Sequence, residues 1–312
     1  MKVFVIDAAR CVGCHNCQIG CKDEHCGNCW MPYAEEQPEI GQFWMKVEQK
    51  ERGHKPHVKV SYTPRLCNHC GDAPCMRAAK DDAVYRRDDG LVIIDPVKAK
   101  GQKQIVDACP YHVIYWNEEK EIPQKCTGCA HLIDDPEQPI HTPRCMDNCH
   151  LDVIQFGEAE DFDLTGCEVL HPEYKTDPHV YYRSLPKKFI AGTVYDPEAE
   201  EIVEGATVTA TCAEGTVTAT TDSWGDFWLK DLLDAEWRVE IEKGGKRAAL
   251  EVSTLEEDKG TGRHSACVSL GQRAVGMCRR PALFASANAS THMRRNHGQG
   301  AFREIRHQTA RV

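Results

Sequence analysis

The chain has 312 residues, enough for two ordinary domains that each bury a core. Its 18 cysteines are far more than a typical soluble enzyme carries, and clustered cysteines in a reducing compartment are more often metal ligands than disulfides. The net charge of −10 argues against nucleic-acid binding.

The sequence gives no sign of a targeting or membrane-spanning segment. Its start, MKVFVIDAARC, has no basic stretch followed by a long apolar run. No later stretch approaches the roughly 20 apolar residues of a membrane span. We therefore expect a soluble, cytoplasmic chain.

The density of cysteines and the alternation of apolar and polar residues divide the chain into four parts. Fourteen cysteines lie before Leu151, among short β-prone runs, so we expect a cysteine-rich domain in residues 1–150. Residues 151–188, with three prolines, read as an irregular connector. Alternating runs such as EGATVTATC predict an all-β sandwich of about seven strands in residues 189–270. Residues 271–312 contain eight arginines and one acidic residue. They predict a basic, disordered tail, with docking to an acidic surface as the alternative.

The first part contains an internal repeat. Residues 7–22 read DAARCVGCHNCQIGCK, and residues 95–110 read DPVKAKGQKQIVDACP. When Asp7 is aligned with Asp95, the last cysteine of each segment coincides and so does a glycine. A second pair of segments, PRLCNHCGDAPCMRAA and PQKCTGC continued by PRCMDNC, is also similar. We interpret the two halves as copies of one duplicated unit.

The cysteine spacing is typical of 4Fe-4S loops. In two-cluster ferredoxins the run C-x2-C-x2-C-x3-C gives three thiolates to one cubane and the fourth to the other. Pairing the first loop with the last, and the two middle loops with each other, predicts three clusters. Cluster one is held by Cys11, Cys14, Cys17 and Cys149; cluster two by Cys126, Cys129, Cys145 and Cys21; cluster three by Cys67, Cys70, Cys75 and Cys109.

The same pairing predicts a fourth cluster position that has no ligands. It would use residues 79, 99, 102 and 105, which are Ala79, Ala99, Gln102 and Ile105. All four ligands of one site are absent together, while the other twelve remain. Cys109 stays because it serves cluster three.

Other interpretations of the cysteines are weaker. Paired C-x2-C units also build zinc sites, but zinc gives no reason for a third cysteine after each pair or for the matched loss of four positions. A disulfide framework is the other alternative. Cys26 and Cys29 are expected to be unligated loop thiols, with a zinc half-site beside His25 as the alternative. Cys167, Cys212, Cys267 and Cys278 are expected to be free. The histidines beside ligand cysteines, His15, His69, His112 and His131, are expected to be exposed, with contact to the ligand cysteines as the alternative.

With these motifs the chain resembles the iron-sulfur electron-transfer subunits of molybdenum or tungsten pterin oxidoreductases of the dimethyl sulfoxide reductase family. The three-cluster count, the segments VIYWNEEKEIPQKCTGCAHLIDD and HVYYRSL and the β-domain narrow the resemblance. They are similar to the small subunits of pyrogallol-phloroglucinol transhydroxylases and resorcinol hydroxylases.

The resemblance implies an α+β fold, in which a duplicated two-cluster ferredoxin-like domain precedes a Cna B or transthyretin-like sandwich. It implies three 4Fe-4S clusters and a heterodimer without a membrane anchor. Chemistry on polyhydroxylated aromatics would belong to a large subunit with a molybdenum or tungsten bis-pterin guanine dinucleotide. No P-loop, dinucleotide fingerprint or Ser-His-Asp order predicts an independent active site in this chain. The alternative functions are a free polyferredoxin-like carrier serving several partners and a zinc scaffold.

Overall fold

The helices of the chain are short, and most of its regular structure is β-strand. The computed structural model describes residues 1–260 and 267–269, all within the compact unit Met1–Cys278. The basic segment predicted for residues 271–312 lies outside the described residues. Helices are α1 (Asn16–His25), α2 (Pro74–Ala78), α3 (Gln104–Asp107), α4 (Ala130–Asp134) and α5 (Arg144–Asp147), with 3-10 turns at Ala8–Arg10, Ala159–Asp161 and Pro172–Tyr174.

Nine strands precede residue 187 and nine follow it in the described chain. The first nine are β1 (Lys2–Asp7), β2 (Lys46–His54), β3 (His57–Arg65), β4 (Val84–Arg86), β5 (Val92–Ile94), β6 (Tyr115–Asn117), β7 (Ile122–Gln124), β8 (Ile154–Glu158) and β9 (Val180–Arg183). The others are β10 (Lys188–Asp196), β11 (Glu201–Ile202), β12 (Thr207–Cys212), β13 (Gly215–Thr220), β14 (Asp226–Leu232), β15 (Glu236–Lys243), β16 (Lys246–Ser253), β17 (Lys259–Gly260) and β18 (Cys267–Ser269).

The cysteine-rich part is built from two similar helix pairs and two similar hairpins. Helix α1 packs against α5, and α2 packs against α3. The hairpins β4–β5 and β6–β7 follow the same pattern of three paired residues. Gly20 allows the first contact, because a Cβ atom there would lie 1.9 Å from Nδ2 of Asn148. The first loop therefore meets the last loop, and the middle loops meet each other.

Residues 151–188 are not an irregular connector. They contain β8 and β9, which pair with the two edges of β1, β8 antiparallel and β9 parallel. Strand β1 is the centre of this sheet, and its residues Val3–Ile6 are almost wholly buried. The connector expectation was wrong because β8 and β9 are only five and four residues long, and their alternation is too short to detect.

The long hairpin β2–β3 joins the two parts of the chain. Its Arg52 forms an ion pair with Asp258, whose Oδ1 and Oδ2 lie 2.6 and 2.7 Å from Nη2 and Nε of the guanidinium. Both side chains are less than 10% exposed. Removing one partner of such a buried pair typically costs about 3–5 kcal/mol. The hairpin therefore fixes the sandwich to the cysteine-rich part.

The C-terminal part is a β-sandwich, as the alternation predicts. One sheet has the order β11-β10-β14, with β17 and β18 also paired to β10, and the other has the order β13-β12-β15-β16. Strand β15 alternates strictly: Trp237, Val239 and Ile241 are buried and their neighbours are exposed. The described residues contain nine strands rather than seven, because β11 and β17 have two residues each and β18 has three.

Candidate metal centres

Four cysteines from the first and last loops line one cavity. Its cysteines are Cys11, Cys14, Cys17 and Cys149. Cys14 is exposed, whereas Cys17 is buried. Burial and the charges of Cys149 and Cys11 raise the pKa of Cys17 to about 12. These are the four residues that the sequence predicts for cluster one.

Four cysteines from the middle loops line a second cavity of similar size. They are Cys67, Cys70, Cys75 and Cys109, the set predicted for cluster three, and all are buried. Burial, with the charge of Cys67, raises the pKa of Cys70 to about 12. Two cavities of nearly equal volume with equal numbers of thiols are suited to the same kind of occupant.

The set predicted for cluster two also comes together. Cys21, Cys126, Cys129 and Cys145 are all buried. Burial raises the pKa of Cys21 well above its usual value, and the charges of Cys126 and Cys129 raise it further. The pKa of Cys145 is raised in the same way, partly by Cys17 of the first set, while Cys67 of the third set raises the pKa of Cys126. The second set therefore lies between the other two.

The chemistry of these three sets fits iron-sulfur clusters. Thiols with raised pKa values become thiolates when they bind a metal, because the metal displaces their protons. Each set also has a backbone N–H directed at a sulfur: His69 donates to Cys67 Sγ at 3.5 Å, Gly128 to Cys126 Sγ at 3.3 Å and Val153 to Cys149 Sγ at 3.3 Å. Hydrogen bonds to cluster sulfurs stabilise the charge of the cluster.

Among the described side chains, the cysteines outside the three sets do not form a further ligand group. All sixteen described cysteines are free thiols, so the described part of the chain has no disulfide. Cys29 is exposed and Cys26 is half-buried. Within this part, no three His, Cys, Asp or Glu side chains converge as the ligands of a single ion would. This does not bear on a 4Fe-4S cubane, whose four thiolates each bind a different iron atom and so surround the cluster rather than converge on one point. The Cys267 side chain and Cys278 lie outside the description.

Two histidines beside the cysteines are buried, contrary to the expectation of exposure. His69 is 1% exposed, and its Nδ1 accepts the N–H of Val92 at 3.0 Å. His131 is 7% exposed, and its Nε2 lies 2.9 Å from Glu24. Both lie inside the core formed around the thiols, so spacing alone could not distinguish them from surface residues.

Protein fills the position that the sequence pairing predicts for a fourth cluster. Ala99 and Ile105 are fully buried, and Gln102 is 8% exposed. Nε2 of Gln102 donates to the carbonyl oxygens of Lys80 at 3.1 Å and Lys98 at 2.9 Å, and its Oε1 accepts the Lys80 N–H at 2.8 Å. Apolar packing and an amide network therefore replace the ligands at this position.

A buried lysine lies between the second and third sets, and nothing in the sequence pattern indicates it. Lys125 is 2% exposed, and its ammonium donates to the carbonyl oxygens of Val92 and Cys126. Burial by itself lowers the pKa of Lys125, but the charges of Cys67, Cys75 and Cys126 raise it above its usual value.

Comparison with known proteins accounts for both parts of the chain. Residues 58–159 match the 4Fe-4S dicluster domain, and residues 190–264 match the carboxypeptidase regulatory-like domain. The pyrogallol hydroxytransferase small subunit of Pelobacter acidigallici is 40% identical over 260 residues, covering 78% of this chain and 91% of that protein. The chain belongs to the family of that small subunit. This confirms the resemblance predicted from the cysteine loops.

Two other relatives match a smaller share of the chain. The selenate reductase beta subunit of Thauera selenatis is 34% identical over 158 residues, 47% of this chain and 46% of that protein. The chlorate reductase beta subunit of Ideonella dechloratans is 32% identical over 145 residues, 43% of this chain and 43% of that protein. The chain is therefore an iron-sulfur electron-transfer subunit, homologous to the β subunits of molybdenum enzymes. In its described residues, no helix has the length and apolar character needed to cross a bilayer.

Proposed function

We propose that the chain carries three 4Fe-4S clusters and conducts electrons for a molybdenum or tungsten pterin enzyme that acts on polyhydroxylated aromatics. The observation that carries this proposal is the gathering of twelve cysteines into three sets of four, two of them lining cavities of nearly equal size. The 40% identity to a pyrogallol hydroxytransferase small subunit supports the substrate class.

The twelve cysteines would hold the clusters in the sets described above, and each cluster would accept and release one electron. The protein supplies buried sulfur ligands, N–H donors to the sulfurs and a fixed order of centres. The second set lies between the first and the third, so electrons would pass from one end set to the other through it. The duplicated ferredoxin-like domain would be residues 1–150, and the sandwich in residues 189–270 would serve docking or stability.

The partner would be a large catalytic subunit that holds the pterin cofactor, in a heterodimer without a membrane anchor. The sixteen free thiols suit the reducing cytoplasm, where we place the complex.

Anaerobic purification of the tagged chain from its source tests the proposal. We expect one large subunit to co-purify in equal amount, with molybdenum or tungsten in the preparation and conversion of pyrogallol-like polyphenols. Recovery of an iron-loaded chain alone would favour the free carrier. Recovery of a chain with zinc and no sulfide would favour the scaffold.

A further inference from the structure

Lys125 is a buried cation without a carboxylate partner among the described residues. Its side chain is 2% exposed. Its ammonium donates to the carbonyl oxygen of Val92 and, at 3.0 Å, to that of Cys126. Burying an unpaired ammonium costs several kcal/mol, because carbonyl dipoles replace only part of its hydration. The stability of this arrangement therefore requires negative charge close to the ammonium.

The ammonium lies between two sets of sulfur ligands. It donates to the carbonyl oxygen of Cys126, a member of the second set, and to that of Val92, which lines the same cavity as Cys67 and Cys75 of the third set. Bound to clusters as thiolates, these cysteines would supply the negative charge. His69 adds no competing charge, because its Nδ1 accepts the Val92 N–H at 3.0 Å and therefore carries no proton. Lys125 thus places a positive charge between two of the three predicted clusters, and Arg86, which donates to the carbonyl oxygen of Cys70 at 2.7 Å, lies beside the third set alone.

The backbone fixes the position of this charge. Val92, in strand β5, receives the ammonium on its carbonyl oxygen and donates its N–H to Nδ1 of His69 at 3.0 Å. His69 lies between Cys67 and Cys70 in the loop of the third set. Val92 therefore contacts both Lys125, which precedes Cys126 of the second set, and His69, in the loop of the third set. These contacts hold the ammonium beside both sets.

We propose that Lys125 sets the reduction potentials of clusters two and three by placing a fixed positive charge between them. One-electron reduction adds one negative charge to a cluster, and a nearby buried cation stabilises that charge. The potentials of both clusters are therefore raised relative to those of a chain with a neutral residue here. This inference rests on the proposed function, since it requires the clusters.

A mediated potentiometric titration of the anaerobically purified complex, followed by electron paramagnetic resonance, tests the proposal with Lys125→Gln. Glutamine keeps an N–H donor but removes the charge. We expect two of the three reduction waves to move to lower potential and the third, from cluster one, to stay. At fixed potential the reduced-to-oxidised ratio of each shifted cluster should fall about tenfold, which equals about 59 mV for one electron.

Two matched variants complete the experiment. Lys120→Gln changes a lysine five residues earlier that pairs with Glu35 and Glu36, and it should leave all three waves in place. Lys125→Arg keeps the charge. If the glutamine variant loses clusters two and three while the arginine variant keeps them, the need for positive charge is upheld.

Three outcomes would overturn the inference. They are unchanged waves in Lys125→Gln, an equal shift of all three waves, or loss of the two clusters in both variants, which would mean that size rather than charge matters. A wild-type complex without clusters would instead refute the proposed function, so the two failures are distinguishable.

Discussion

Two segments of the chain, residues 7–22 and 95–110, share one backbone pattern but differ in the side chains at three matching positions. Both begin at an aspartate after a buried strand, both contain a glycine with positive φ, +69° at Gly13 and +75° at Gly101, and both lead into a helix. In the first segment three cysteines face a cavity. In the second, their counterparts are packed or hydrogen-bonded inside the protein.

The comparison shows that the backbone of such a loop is kept where three of its cysteines are replaced by other residues. Asp95 caps its turn, accepting the N–H groups of Val97 at 2.9 Å and Lys98 at 3.1 Å, whereas Asp7 Oδ1 has no partner among the described residues. Gln102 links the turn to Lys80 in the other middle loop. The segment that lacks these three cysteines is thus held by its own hydrogen bonds and core contacts.

The largest effect is expected at Cys109, the one residue of segment 95–110 that is predicted to bind a cluster. Cys109→Ser should remove cluster three and leave clusters one and two, because Cys109 lines only the cavity of Cys67, Cys70 and Cys75. Iron analysis should show a loss of about one third. Cys167→Ser is the control, since Cys167 belongs to no set. Loss of cluster one instead would refute the ligand assignment.

The two glycines provide the next test. A Cβ at Gly13 would lie 2.3 Å from the Tyr62 ring, so Gly13→Ala should displace the first loop and lose cluster one. A Cβ at Gly101 meets nothing within 4 Å. Gly101→Ala should therefore cost only the strain of positive φ, about 1–2 kcal/mol, with all iron retained. Equal effects of the two substitutions on the iron content would contradict the conclusion that only the first loop has no room for a Cβ atom at its glycine.

Ile105→Ala should be destabilising without affecting the clusters. Ile105 is fully buried at the vacated position, and such truncations cost about 2–5 kcal/mol. Val97→Ala, in the same turn but 71% exposed, should stay within about 0.5 kcal/mol. The midpoints of denaturant unfolding measure both. A neutral Ile105→Ala would mean that the position is not packed.

The smallest loss of stability is expected when the side-chain amide of Gln102 is removed. Gln102→Ala should cost about 1–3 kcal/mol, because backbone groups of Lys80 and Lys98 lose their partner. Gln104→Ala removes an exposed amide that donates to Gln102 Oε1 at 3.2 Å but leaves the bonds of Gln102 to Lys80 and Lys98, so it should cost less. The same unfolding experiment compares the two, and a larger loss at Gln104 would show that the buried amide of Gln102 is not the source of stability.

Local spacing made part of this architecture predictable. The fixed intervals between cysteines indicated which loops meet, and strict alternation indicated the sandwich. The hairpin β2–β3 gave no such signal, because only Val47 and Arg52 are buried in β2 and they are five residues apart. Its contact with Asp258 depends on residues about 200 positions away.

Lys125 shows why the rest of the site could not be predicted. Lysine is almost never fully buried without a partner, so the sequence favours an exposed side chain. Its burial follows from sulfur atoms that separate loops bring together, Cys67, Cys75 and Cys126. Long-range charge of this kind leaves no periodic pattern in the sequence.

The central claim is that twelve cysteines hold three clusters and that the fourth position holds none. Iron and acid-labile sulfide per chain, measured on anaerobically purified protein, test it most directly. Three cubanes predict about 12 iron and about 12 sulfide per chain. A value near 16 would mean that the fourth position is occupied after all, and zinc without sulfide would contradict the account entirely.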